Sequence, residues 1–341
     1  MQDVSVLPLW RCLHRRGGPD RYVTEYFRVH RDSHPEKEIV QSIAGMAPQG
    51  PVMAQMIGND PVHLVRTARY LEDRTPCVGI DLNLGCPAPK VCGKAAGGAL
   101  LKDHDLIRRA VEELRPAVRG QLTLKTRLGF ETPNEFSALL DLFATLPLDG
   151  LAIHGRTVRE RYQSPVHPEW IAEAVCRLPY PVTANGNIVS VATAEAMQER
   201  TGAAGLMIGR GAIRNPWLFA QIRQAAAGAA VFAPSLRDVL AYLEELSEEV
   251  RREGAFTEET PLVHRLKKFT NYITIGLSSG ALSQELRRAV TLEAFHKICR
   301  EHLDSDEPFP EEPEDDGSLF CGFADLRKRR FSQEPMGVTQ R

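Results

Sequence analysis

Short apolar, β-branched runs recur along the first 211 residues, and each closes on polar or glycine-rich sequence. They lie at 22–27 (YVTEYF), 51–58 (PVMAQMIG), 78–85 (VGIDLNLG), 122–129 (LTLKTRLG), 150–156 (GLAIHGR), 181–188 (PVTANGNI) and 205–211 (GLMIGRG). Between them, residues 62–72, 103–118, 134–145, 168–177 and 191–201 read as helices. Strand starts fall roughly every 30 residues, the length of one βα unit. This alternation predicts a parallel sheet covered by helices.

The polar strand ends choose between the two arrangements that fit. They carry Glu25, Gln55, Asn83, Lys125 with Arg127, His154 with Arg156, Asn185 with Asn187, and Arg210. A closed barrel gathers all strand C-termini around one mouth, whereas an open doubly wound sheet scatters them along a crest. The reading is therefore an α/β fold, a (β/α)8 TIM-type barrel. Seven strands are visible where eight are needed. Residues 7–16 already read as a helix, stopped by Gly17-Gly18. The first strand is thus expected to be missing, with Met1 an internal methionine and the native start upstream.

After Gly211 the pattern turns helical, at 216–227, 235–253, 261–275 and 283–302. The chain divides into a barrel domain over 1–220, a small all-α domain over 221–303 and a tail over 304–341. The tail opens with the acidic, proline-rich DSDEPFPEEPEDDG (304–317), which predicts disorder, and includes RKRR (327–330), read as a solvated basic cluster.

Charge sharpens this division. The formal net charge is −2. Residues 303–341 hold 10 acidic and 5 basic side chains, which leaves 37 basic against 34 acidic over residues 1–302. A mildly basic body therefore carries an acidic extension, and near-neutrality does not argue against a nucleic-acid partner. No apolar run approaches the roughly 20 residues that span a bilayer, and the first residues lack a signal-peptide core. Seven cysteines, an odd number without a dense framework, read as reduced thiols of a cytoplasmic protein.

The most unusual segment is 83–99, NLGCPAPKVCGKAAGGA. Gly85 and Pro87 fix a turn that presents Cys86 at a strand end, and Gly97-Gly98 permits close backbone approach. A buried structural cysteine is the bland alternative, and pairing of Cys86 with Cys92 is a weaker one. Lys125 and Arg127 share one strand face, as do His154 and Arg156. Charges inside a barrel are costly unless they serve a site. Asn185-Gly186-Asn187 and Gly209-Arg210-Gly211 follow the last two visible strands, where barrels commonly hold a phosphate. Together these features point to a phosphorylated cofactor ringed by cations, with Cys86 as acid or nucleophile. A lysine beside a flavin's N1/O2 edge would stabilise the reduced ring.

These residues resemble the tRNA-dihydrouridine synthase family of flavoenzymes. The resemblance rests on RRGGPDRYVTEYF (15–27), AQMIGND (54–60), DLNLGCPAPKV (81–91), GGALLKD (97–103), KTRLG (125–129), HGRT (154–157), ANGNI (184–188), MIGRGAIRNPWLF (207–219) and HRLKKF (264–269). It implies FMN as cofactor, NADPH as reductant and tRNA as partner, with no membrane association and a monomeric state. It implies reduction of the uridine C5=C6 bond, with hydride from N5 of FMN to C6 and a proton from Cys86 to C5. Gln55, Lys125 and His154 resemble the flavin-ring contacts. Asn185, Gly186, Asn187, Gly209 and Arg210 match the phosphate and ribityl loops. Asn83, Arg127 and Arg156 are expected at the target uracil. His264, Arg265, Lys267, Lys268, Phe269 and Tyr272 suit RNA backbone and base stacking, though a solvated helix face reads the same way. The family usually opens with a strand ending in Ala-Pro-Met. Here Met1 stands at that Met, which leaves the segment's flavin contacts to Met1 and Gln2. Asn187 replaces an acidic residue found in many relatives and keeps its hydrogen-bonding capacity. Two alternatives stay open: a flavin barrel acting on a free pyrimidine, and an RNA-binding protein without catalysis.

Overall fold

The computed structural model describes residues 4–253, 258–277, 280–315 and 319–327. All seven expected strand positions are present. The first is split into β1 (Tyr22–Val23) and β2 (Phe27–Arg28), which both pair in parallel with β3 (Val52–Ile57). The sheet continues through β4 (Gly79–Asn83), β5 (Gln121–Arg127), β6 (Gly150–His154), β7 (Val182–Asn185) and β8 (Gly205–Met207), every neighbour parallel. Among the described residues no strand bridges β8 to β1, so this is an incomplete TIM-type barrel, open at the position the strand count left empty.

The register explains why the strand interiors alternate. Ile80, Leu82, Leu122, Leu124, Leu151, Ile153, Val182 and Ala184 are buried on the face covered by helices. The other face is polar. Gln55 lies beside Asp81 and Asp81 beside Thr123. One layer up, Asn83 lies beside Lys125. A layer further, Arg127 lies beside His154 and His154 beside Asn185. Alternation of period two thus stacks the chemistry toward one end of the sheet.

The helices Pro168–Arg177 and Val191–Thr201 have the expected bounds, and Leu7–Arg15 precedes β1. The helix Lys37–Met46 was not anticipated. Its Gly45 weakens the local signal, and a Cβ there would fall 2.4 Å from Leu7 Cδ2, so the glycine lets the Leu7 side chain of the first helix pack closely. The expected single helix 283–302 is two, Ala281–Arg288 and Leu292–Leu303. Ala289 is extended at the break, and Thr291 caps the second helix by accepting the Ala294 N–H at 3.2 Å.

The helical region docks on the barrel through Leu236–Arg252, whose Glu249 is 2% exposed. Glu249 receives Arg11 at 3.2 Å, Arg15 at 2.5 Å and Arg252 at 3.0 Å. The expected disorder of the tail does not hold for its described part. Residues 304–315 and 319–327 pack on the body, burying Phe309, Phe320, Phe323 and Leu326. Leu236 and Phe309 donate backbone hydrogen bonds to Glu307 and Pro234, and Arg237 pairs with Asp304 and Asp306. Acidic composition averaged over the segment hid four apolar anchors. Residues 328–341, and with them most of the RKRR cluster, lie outside the described residues, as does Met1.

Candidate active site

Beneath the mouth, a buried carboxylate organises the β3–β5 side. Asp81 accepts Gln55 Nε2 at 2.7 Å and Thr123 Oγ1 at 2.6 Å. Asn83 Nδ2 donates to Gln55 Oε1 at 2.8 Å, and the Gln55 N–H donates to Thr24 Oγ1 at 2.9 Å. Burial pushes the Asp81 carboxyl up to about 6 against these hydrogen bonds and Lys125. The sequence reading passed over Asp81 because it sits inside an ordinary-looking strand, GIDLN.

Asn83 also builds the turn that carries Cys86. Its Oδ1 accepts the N–H groups of both Gly85 and Cys86 at 3.0 Å, the local Asx geometry that favours turns. Arg127 closes the turn from behind. It is 2% exposed, with Nε donating to Gly85 O at 2.8 Å and Nη1 to Thr157 O and Arg161 O at 2.8 and 2.7 Å. Both residues were expected at a substrate base, but the structure gives them the work of holding the cysteine loop.

Cys86 Sγ lies 3.9 Å from Tyr26 Oη, at the break between β1 and β2. Burial and then Cys86 push the Tyr26 hydroxyl up to about 12, so it stays protonated and able to donate. Cys86 O accepts the Gly98 N–H at 3.0 Å and the Cys92 thiol at 3.4 Å. Both cysteines are free thiols, and Cys92 supports the loop. Gly97 has φ +60°, and a Cβ on it would lie 3.1 Å from that of Cys86.

The β5–β7 side is cationic. Burial and then Arg127 pull Lys125 down to about 8. His154 is buried and held well below the usual imidazole range by burial and by Arg127, Lys125, Arg156 and Arg210, so it is neutral. Arg156 is fully buried: Nε donates to Ser164 O at 2.5 Å, and Nη2 to Asn187 Oδ1 at 3.0 Å and Cys321 O at 3.2 Å. Burial, then Arg210 and Arg127, lower it to about 10. Asn185 Nδ2 donates to Met207 O at 2.7 Å, and the following Gly186 and Asn187 both have positive φ. A Cβ on Gly186 would approach Val166 to 2.8 Å. Over this group stands Tyr162, its ring 5.1 Å from the Arg127 guanidinium, 4.8 Å from that of Arg210, and edge-on to His154. Nothing in the strand pattern marks Tyr162, which belongs to the loop after β6.

Two buried polar atoms here, His154 Nδ1 and Arg156 Nη1, have no hydrogen-bond partner among the described residues. Such atoms are costly unless something completes them. A neutral imidazole, a lysine and clustered guanidiniums, with two donors and acceptors left over, fit a polar ring bearing an anionic group.

A family model described as Dihydrouridine synthase (Dus) matches residues 1–306. The chain belongs to the dihydrouridine synthase family. A tRNA-dihydrouridine(16) synthase of Cupriavidus necator is 36% identical over 265 residues, 72% of this chain and 80% of the relative. A tRNA-dihydrouridine synthase B of Xanthomonas campestris pv. campestris is 37% identical over 262 residues, 75% of this chain and 76% of the relative. A tRNA-dihydrouridine(16) synthase of Pseudomonas putida is 36% identical, covering 68% and 74%.

The helix Glu259–Ile273 carries the remaining candidates. Arg265 pairs with Glu38 at 2.7 Å across to the barrel, and Lys267 Nζ donates to Arg287 O at 2.9 Å. His264 and Lys268 are exposed. Phe269 is fully buried and belongs to the core, so it is not available for base stacking. Tyr272 is half-buried. Among the described residues no helix is long and apolar enough to cross a membrane.

Proposed function

We propose that this chain is a tRNA-dihydrouridine synthase that uses FMN, reduced by NADPH, to saturate the uridine C5=C6 bond. The observation that carries the reading is one mouth shared by a loop-mounted free thiol and a ring of cations with unfilled hydrogen-bonding atoms. The names of the relatives support tRNA as substrate.

When bound, FMN supplies a hydride from N5 to C6 of the uracil. In this reading Gln55, Lys125 and His154 would hold its ring, with Lys125 the cation for the reduced form. In this reading Asn185, Gly186, Asn187, Gly209 and Arg210, joined by Arg156, would hold its ribityl phosphate. Cys86 donates the proton to C5. A positioned thiol can serve as a general acid. Asn83 and Arg127 act through Cys86 by fixing its loop. A base must leave its stack to reach such a mouth, and His264, Lys267, Lys268 and Tyr272 form the face on which the tRNA backbone rests. Residues 1–220 are then the catalytic unit and 221–303 the tRNA-holding unit of a monomeric, cytoplasmic enzyme. The visible spectrum tests this: purified protein supplemented with FMN is expected to retain bound flavin after desalting, and a colourless protein would count against the reading.

A further inference from the structure

The family match ends at residue 306, and the described residues beyond it, 307–315 and 319–327, fold back onto the barrel. Their main chain is received by four arginines of the body. Arg214 donates to the carbonyls of Pro310 at 2.9 Å, Glu312 at 3.2 Å and Glu311 at 3.4 Å. Arg200 donates to Leu326 O at 3.0 Å. Arg210 Nη1 donates to Leu319 O, with its guanidinium 5.8 Å from the Phe320 ring. Arg156 Nη2 and Asn187 Nδ2 both donate to Cys321 O, at 3.2 and 3.1 Å.

The apolar side chains fasten the segment. Phe320 and Phe323 are buried against Val189, and Leu326 is 1% exposed. Gly322 has φ +67°, and a Cβ there would lie 3.2 Å from Pro165 N and Cα and 3.3 Å from Ser164 O. Those atoms belong to the loop that also gives Arg156 its Ser164 carbonyl. The strap therefore touches Arg156 at Nη2, the second asparagine of the β7 loop, and the Ser164-Pro165 loop that holds Arg156 Nε.

A neutral carbonyl orients a guanidinium without cancelling its charge. Among the described residues none of Arg156's hydrogen-bond partners is a carboxylate. Residues 319–323 carry no carboxylate, and in the chain before them Glu312 meets Ser190 and Arg327 while Asp315 accepts the Gly322 N–H. A segment built to fill the site would occupy Arg156 Nη1; this one supplies the Cys321 carbonyl to Nη2, Ser164 of the body holds Nε, and Nη1 has no partner among the described residues.

We propose that residues 319–323 are a positioning strap for the phosphate end of the cofactor site, holding Arg156, Asn187 and Arg210 in register for a phosphate monoester. This rests on the flavin reading above. It is distinct from that reading because it assigns phosphate recognition to a segment outside the family match.

Fluorescence titration of the full-length protein with FMN and with riboflavin, which lacks the phosphate, tests it. Gly322→Val strains the strap and drives it from Pro165, and Phe320→Ala/Phe323→Ala loosens its anchors without backbone strain. Each folded variant is expected to lose about tenfold in FMN affinity, the scale of one or two charge-assisted hydrogen bonds, while riboflavin affinity changes less than about twofold. Loss of both flavins in parallel would mean that the strap is merely structural, and tighter FMN binding would mean that it competes for the site. Either result, or an unchanged FMN-to-riboflavin ratio, overturns the proposal and leaves the flavin reading standing. Should the Gly322→Val protein not fold, the double variant gives the same decision. Wild-type protein that binds neither flavin removes the flavin reading itself, and the strap's role with it.

Discussion

The two sides of the barrel mouth solve the same burial problem in opposite ways. On the β3–β5 side, Asp81, Gln55, Asn83 and Thr123 satisfy one another, and the spare acceptor capacity of Asn83 fixes the Cys86 turn. On the β5–β7 side, Lys125, His154 and Arg156 crowd together, and the hydrogen bonds found for Arg156 all go to neutral oxygens, leaving two buried atoms unfilled. On one side the side chains close their hydrogen bonds on one another and hold the Cys86 loop still. The other is electrostatically incomplete, as expected of a site whose anion arrives from outside. The side chains that fix the Cys86 turn and those with unpartnered buried atoms among the described residues thus lie on different strands.

Substitutions across this divide should differ in kind. The largest effect is expected from Cys86→Ala, which should retain FMN yet lose uridine reduction by about 10²–10⁴-fold, the usual contribution of a positioned acid. Single-turnover oxidation of the flavin by tRNA reads this directly, and near-normal turnover would remove Cys86 as the acid. Next comes Asp81→Ala, which strands Gln55 Nε2 and the Thr123 hydroxyl. Its expected cost is about 2–4 kcal/mol in urea unfolding. A loss of flavin without loss of stability would place Asp81 on the wrong side of the comparison.

The two sides should also answer acid with opposite sign. Asp81 is raised to about 6 in the folded chain from 3.8, so the native state holds the extra proton between those values. Its contribution makes the protein less stable as pH rises from about 4 to about 6. His154 is depressed below 6.5, so the unfolded state takes up the proton first, and stability falls as pH drops below that value. Subtracting the pH–stability curve of Asp81→Asn from wild type should expose the first slope, and of His154→Gln the second. Slopes of the same sign would break the contrast. The smallest effect belongs to Lys125. With its ammonium pulled down to about 8, flavin reduction measured as kcat/KM should decline as pH rises through that value, and Lys125→Arg should flatten the profile.

Much of this was legible in the chain. Seven strand positions, the missing eighth and the cationic residues at strand ends follow from period-two alternation and polar punctuation. Their partners did not. Asp81 gains meaning only when the register sets it between Gln55 and Thr123. Tyr26 and Tyr162 reach the site from a strand break and a loop, where no periodicity points anywhere. Asn83 and Arg127 were recognised as site residues, but only the hydrogen bonds show that their groups hold backbone. The strap was obscured by its own composition, since acidic residues dominate the count while a few phenylalanines provide the anchorage.

Dihydrouridine mapping of tRNA from a strain lacking this gene tests the central claim most directly. The account expects dihydrouridine to vanish from a defined position, to return with the wild-type gene, and to stay absent with the Cys86→Ala gene. An unchanged map in the deletion strain, or full restoration by Cys86→Ala, would contradict it.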